Sequence, residues 1–94
     1  MSKLIVVWTS QFKKDYKLAI KRHQNIDLLD DIIIHLSNGE QLDPKYKDHI
    51  LSGNWQTFRE CHIAPDWLLV YKIENNKLIL TLARTRSHSD LFNK

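Results

Sequence analysis

The chain has 94 residues, a hydrophobic fraction of 43%, a charged fraction of 27% and a net charge of +3. With only two glycines, two prolines and no repeat or low-complexity tract, it excludes a fibrous or linker-rich protein. The apolar run Leu4 to Trp8 is too short for a signal-peptide core or a membrane span.

One domain over residues 1–94 is expected, with a core burying roughly two-thirds of the unfolded surface. The single cysteine, Cys61, cannot form an internal disulfide, so the expected compartment is the reducing cytoplasm. The modest positive charge favours a polyanionic partner.

In chain order, Leu4 to Trp8 is rich in branched and aromatic residues and reads as a strand. Thr9 and Ser10 are good caps, and Phe12, Tyr16, Ala19, Ile20 and His23 recur at helical spacing, predicting a helix over Gln11 to His23. A second helix opens after Asn25, carries Leu28, Leu29, Ile32, Ile33 and Leu36 on one face, and stops at Asn38-Gly39. The short connection between them implies an antiparallel helix pair. From Glu40 to Gly53 no period is clear, and Asp43-Pro44 marks a turn.

Three strands follow, at Trp55–His62, Trp67–Glu74 and Lys77–Arg84, with Asn75-Asn76 as a two-residue hairpin turn. Counting outward from that turn pairs Glu74 with Lys77, Ile73 with Leu78, Tyr71 with Leu80, Leu69 with Leu82 and Trp67 with Arg84. A turn at Ile63-Ala64-Pro65 sets His62 opposite Asp66. On this register His62, Asp66, Trp67 and Arg84 converge at one end of the sheet. The order strand, helix, helix and three strands predicts an α+β domain: a helical hairpin on a small, largely antiparallel sheet, with the last three strands as a meander. The apolar middle strand is central, and the first strand joins an edge.

Lys13, Lys17 and Lys21 are spaced i, i+4, i+8, with Lys14 and Arg22 beside them and Asp15 the nearest acid. A solvated helix face would look like this. So would a contact to a phosphate backbone, and the acids Asp27, Asp30 and Asp31 on the second helix keep the two signs apart. His49 lies in KYKDH, a loop flanked by lysines. His88 follows Arg84 in RTRSHSDLF, where Leu91-Phe92 is a natural apolar anchor for the tail.

RNA cleavage needs a base for the ribose 2′-hydroxyl, an acid for the departing 5′-oxygen and a cation for the charge on the phosphate oxygens. Histidine suits the proton transfers, arginine's planar fork suits the phosphate, aspartate can act as base or orient a histidine, and tryptophan can stack on a base. All these types gather near one sheet end, and the chemistry requires no metal or other cofactor. A metal site is disfavoured because Cys61 and His62, adjacent in a strand, point to opposite faces. There is no phosphate loop, glycine-rich nucleotide fingerprint or nucleophile elbow. Cys61 reads as a small core residue rather than a nucleophile.

These motifs carry a family likeness. Through SQFKKDYKLAIKRH, LDPKYKDHILSGNW, RECHIAPDWLLVYKI and ARTRSHSDLF, nearly end to end, the chain resembles the YafQ branch of the RelE-like toxins, small ribonucleases of bacterial type II toxin–antitoxin systems. The resemblance implies cleavage of translated mRNA on the ribosome, and an antitoxin partner, itself DNA-binding, that holds the toxin inactive. By position, His49, His62, Asp66 and His88 correspond to acid–base residues, Arg84 to the phosphate-binding arginine, and Trp67 and Phe92 to substrate contacts. Arg86 stands where relatives commonly have glycine, which makes the tail stiffer and more cationic. The alternative on the same fold is a non-catalytic RNA- or DNA-binding module or co-repressor.

Overall fold

The structure, a computed structural model, describes residues 3–87. Ile5–Trp8 form β1, and Thr9 caps helix α1 (Ser10–Lys21), its side chain accepting a hydrogen bond from the Phe12 amide. Helix α1 ends before the predicted His23, which takes a left-handed φ of 60°. Helix α2 (Ile26–Ser37) stops where the sequence predicts, with Gly39 at φ 76° just beyond its cap Asn38. No side-chain penalty opposes that conformation in glycine.

Phe12 and Ala19 of α1 and Leu29, Ile32, Ile33 and Leu36 of α2 are buried. Ile20 and Leu28, which the periodicity placed on the inner faces, are instead 53% and 38% exposed. Each stands one position from a buried residue, Ala19 or Leu29, a rotation of about 100° that carries it off a narrow contact stripe. Among the described residues no helix is long and apolar enough to cross a membrane.

The other strands are β2 (His49–Ile50), β3 (Arg59–Ala64), β4 (Trp67–Glu74) and β5 (Ile79–Arg86). They form one five-stranded sheet in the order β1-β5-β4-β3-β2. The α+β class and the edge position of β1 are as expected. The sheet is mixed, however, because β1 runs parallel to β5 while the remaining pairs are antiparallel. No tight hairpin links β1 to β5, so nothing imposes the antiparallel direction. β2 escaped the sequence reading because two residues carry no alternation to read.

The hairpin register also differs. Residues Asn75–Lys77 form a 3-10 turn and Leu78 adopts φ 56°, so Glu74 pairs with Ile79 and Ile73 with Leu80. A bulge follows, taking the pairing from Tyr71↔Leu82 to Val70↔Arg84. Trp67 therefore does not face Arg84. On the other side the turn is Pro65-Asp66, with Ala64 paired to Trp67 and His62 to Leu68, so His62 does not face Asp66.

The helices pack on one sheet face, where Cys61, Ile63, Trp67, Leu69, Tyr71, Leu80 and Leu82 complete the core. Leu68 and Val70, which alternate with these, are also fully buried. That makes β4 the doubly covered central strand the sequence predicted. β1 covers only part of the β5 edge, the pairing ending at Trp8↔Leu82. Past that point α1 takes over. Thr9 Oγ1 donates to the Leu82 carbonyl at 2.9 Å, and Asp15 Oδ2 accepts from the Thr85 amide at 3.1 Å. An otherwise open strand edge is thus closed by a helix.

Candidate active site

The register sets His49, Glu60, Val70 and Arg84 in one row across four strands, and His62, Leu68 and Arg86 in the next. Directly opposed residues share a face, as do residues two apart on one strand. Both rows therefore lie together. Buried Leu68 and Val70 form an apolar floor between histidines at one side and arginines at the other. With strands about 4.8 Å apart, His49 and Arg84 are separated by roughly 14 Å of backbone.

His49 is not in a loop, as its lysine-rich flanks suggested, but opens β2 opposite Glu60. Its Nδ1 lies 2.8 Å from the Lys47 carbonyl oxygen. A carbonyl only accepts, so Nδ1 carries hydrogen, which leaves Nε2 as the other ring nitrogen. That Nε2 is 3.3 Å from Glu60 Oε1, and His62 Nε2 is 3.9 Å from the same oxygen. The two rings lie 6.5 Å apart between centroids. Glu60 is only 4% exposed, and its Oε2 has no hydrogen-bond partner among the described residues. A buried carboxylate between two histidines can orient both rings and favour positive charge on either. The sequence reading missed Glu60; its place two residues before His62, on the same strand face, was the available signal.

At the other side, Asp15 gathers the arginines. The sequence makes it the acid nearest the α1 lysines, yet it is 1% exposed. Arg84 donates to it twice, Nε to Oδ2 at 2.7 Å and Nη2 to Oδ1 at 3.3 Å, and Arg86 Nη1 donates to Oδ1 at 3.4 Å. Two guanidinium groups are thus held at the end of the rows by one carboxylate.

The other candidates divide. Asp66 is exposed in the Pro65-Asp66 turn, beyond the His62 row. Trp67, expected to stack on a base, is 3% exposed and belongs to the core, which leaves its ring no free face. Lys13, Lys14, Lys17 and Lys21 are all exposed on α1, and none makes an ion pair among the described residues. Cys61 is fully buried, and burial pushes its thiol up to about 12, which removes it as a nucleophile at neutral pH. His88 and Phe92 lie outside the described residues. Among those described, no group of three His, Cys, Asp or Glu side chains is placed to hold a metal ion.

Residues 4–93 match the family described as the bacterial toxin of type II toxin–antitoxin system, YafQ. The chain belongs to the YafQ family. It is 39% identical over 88 residues to the mRNA interferase toxin YafQ of Escherichia coli K12, covering 93% of this chain and 94% of that protein. The crystal structure of YafQ from E. coli strain BL21(DE3) superposes with a TM-score of 0.90 at 36% identity, over 96% of this chain and 99% of that one. YafQ in the crystal structure of the E. coli DinJ–YafQ toxin–antitoxin complex gives 0.88 at 37% identity, over 96% and 98%. The YafQ likeness thus extends through both helices and the whole sheet.

Proposed function

We propose that this protein is the toxin of a type II toxin–antitoxin system and an endoribonuclease that cleaves mRNA during translation on the ribosome. One observation carries the reading: the Nε2 atoms of His49 and His62 converge on the buried Glu60 carboxylate, in rows that end in Arg84 and Arg86. In the proposed reaction His49 Nε2 takes the proton of the ribose 2′-hydroxyl as the 2′-oxygen attacks phosphorus. The bond from phosphorus to the 5′-oxygen then breaks, leaving a 2′,3′-cyclic phosphate, and the 5′-oxygen receives a proton. Glu60 stabilises the imidazolium that forms, with His62 beside it. His88 is the candidate donor to the leaving oxygen, and Asp66 is a candidate to orient a histidine. Arg84 offers N–H groups beyond those bound to Asp15, and these, with the Arg86 charge beside them, favour the charge building on the phosphate oxygens.

The α1 lysines fit the phosphate-rich surface of the ribosome and its mRNA. Phe92 is assigned to the substrate. An antitoxin is the expected inhibitory partner, as in the DinJ–YafQ pair. An acidic segment that folds on binding would suit the exposed lysines of α1.

Primer extension on an mRNA translated with this protein tests the reading. Discrete cleavage should appear only with ribosomes engaged, and should be lost in a His49→Ala, His62→Ala double variant. Cleavage by the double variant at the wild-type rate would reject the site. Binding to RNA without cleavage would favour the non-catalytic module instead.

A further inference from the structure

The KYKDH segment carries a carboxylate, Asp48, that the proposed chemistry does not use. Its Oδ1 accepts a hydrogen bond from the Tyr71 hydroxyl at 2.6 Å and another from Arg59 Nε at 3.3 Å. Tyr71 belongs to central strand β4, is 1% exposed and has its ring in the core. Arg59 stands on β3 between Ile50 and Tyr71 in the pairing. The residue immediately before His49 is therefore tied to two neighbouring strands. His49 needs such a tie. Strand β2 has two residues, both exposed, at the edge of the sheet, where few backbone bonds hold it.

We propose that Asp48 and Tyr71 form a clamp that positions His49 for proton transfer. The inference rests on His49 being the proton acceptor of the reaction proposed above. Lys47 takes a left-handed φ of 52°, and this bend brings its carbonyl back onto His49 Nδ1 at 2.8 Å. Asp48 follows that bend, so its bond to Tyr71 fixes both the carbonyl that selects the tautomer and the backbone that carries the ring. A hydroxyl-to-carboxylate bond this short is of the strong, charge-assisted kind. Burial, and then the Asp48 charge, hold the Tyr71 hydroxyl well above the usual phenol range, so it remains a donor throughout neutral pH. Both clamp residues are positioning residues: neither touches the histidine ring in the structure.

The test compares Tyr71→Phe, Asp48→Ala, Asp48→Asn, their double variant Tyr71→Phe/Asp48→Ala, and His49→Gln. Each is measured for cleavage in a reconstituted translation reaction and for melting temperature, and those that keep His49 also by nitrogen NMR of the imidazole. Tyr71→Phe and Asp48→Ala should fold cooperatively and lower kcat on the order of tenfold or more, with KM for the mRNA little changed. The His49 nitrogen signals should move from a single Nδ1–H tautomer towards a mixture. Asp48→Asn, whose amide oxygen still accepts the hydroxyl, should recover much of both, and the double variant should be no slower than either single change. A wild-type rate and tautomer in Tyr71→Phe, with His49→Gln slow, overturns the clamp alone. A wild-type rate in His49→Gln overturns the assignment of His49, and the clamp's catalytic role with it. Should Tyr71→Phe fail to fold, the two Asp48 variants settle the same outcomes.

Discussion

Asp15 Oδ2 lies 2.7 Å from Arg84 Nε, tying the middle of α1 to β5 where the cross-strand rows end. Removing one partner of a buried ion pair costs about 3–5 kcal/mol, because the other is left uncompensated. Here the Thr85 amide and Arg86 still serve Asp15. Arg84→Ala is therefore expected to cost less, about 2 kcal/mol. For a domain of this size that lowers Tm by roughly 10 °C. Thermal unfolding followed by circular dichroism checks this, and Asp15→Ala, which takes the shared carboxylate from both arginines and the Thr85 amide, should melt lower still. An Arg84→Ala protein as stable as wild type would mean the pair contributes nothing.

Glu60→Gln separates activity from stability. The amide fills the same space without burying a charge, so Tm should hold or rise. Cleavage should nevertheless fall by on the order of tenfold to a hundredfold, since the amide cannot stabilise an imidazolium on His49 or His62. Parallel melting and primer-extension measurements on one preparation decide it; full activity would remove Glu60 from the mechanism.

The α1 lysines should act on binding alone. Lys13→Gln, Lys17→Gln and Lys21→Gln together are expected to weaken association with ribosomes carrying mRNA and to flatten its dependence on salt, by about one unit of log–log slope per lost phosphate contact. Single-turnover cleavage at saturating protein should be unchanged. An unaltered salt slope would return these lysines to a solvated helix face.

Cys61 gives an alkaline prediction. Burial lifts its thiol from 9.0 to about 12 in the folded protein. Below pH 9 neither state has lost the proton, and the thiol adds no pH dependence. Between about 9 and 12 the unfolded chain releases it first, so stability falls as pH rises through that window. Cys61→Ala should flatten the fall, read from denaturant midpoints across the range. In the native protein, alkylation of Cys61 should wait for unfolding.

The helices, the edge position of β1 and the apolar centre of β4 were all legible, because each rests on local caps, periodicity or composition. The register was not. Reading Asn75-Asn76 as a two-residue turn was reasonable, but Leu78 accepts a left-handed conformation that propensity alone would assign elsewhere. That shift, with the bulge beyond Tyr71, moved Arg84 away from Trp67 and beside Asp15. An arginine expected opposite Trp67 at the sheet end is instead paired with buried Asp15. Glu60 was missed for a related reason: its partner His49 lies on a two-residue strand that shows no pattern. Charged residues that meet only through tertiary pairing leave little trace along the chain.

The pairing of β1 with β5 bears on how the protein is made. Thr9, at the end of β1, bonds to Leu82 on β5, seventy-three residues further along the chain. A nascent chain cannot complete its sheet, or lodge Asp15 against Arg84, until β5 has cleared the ribosome that is making it. Contacts this distant in sequence are also slow to close. The arginine side of the site is therefore assembled late, and a half-synthesised chain should be harmless to the ribosome translating it.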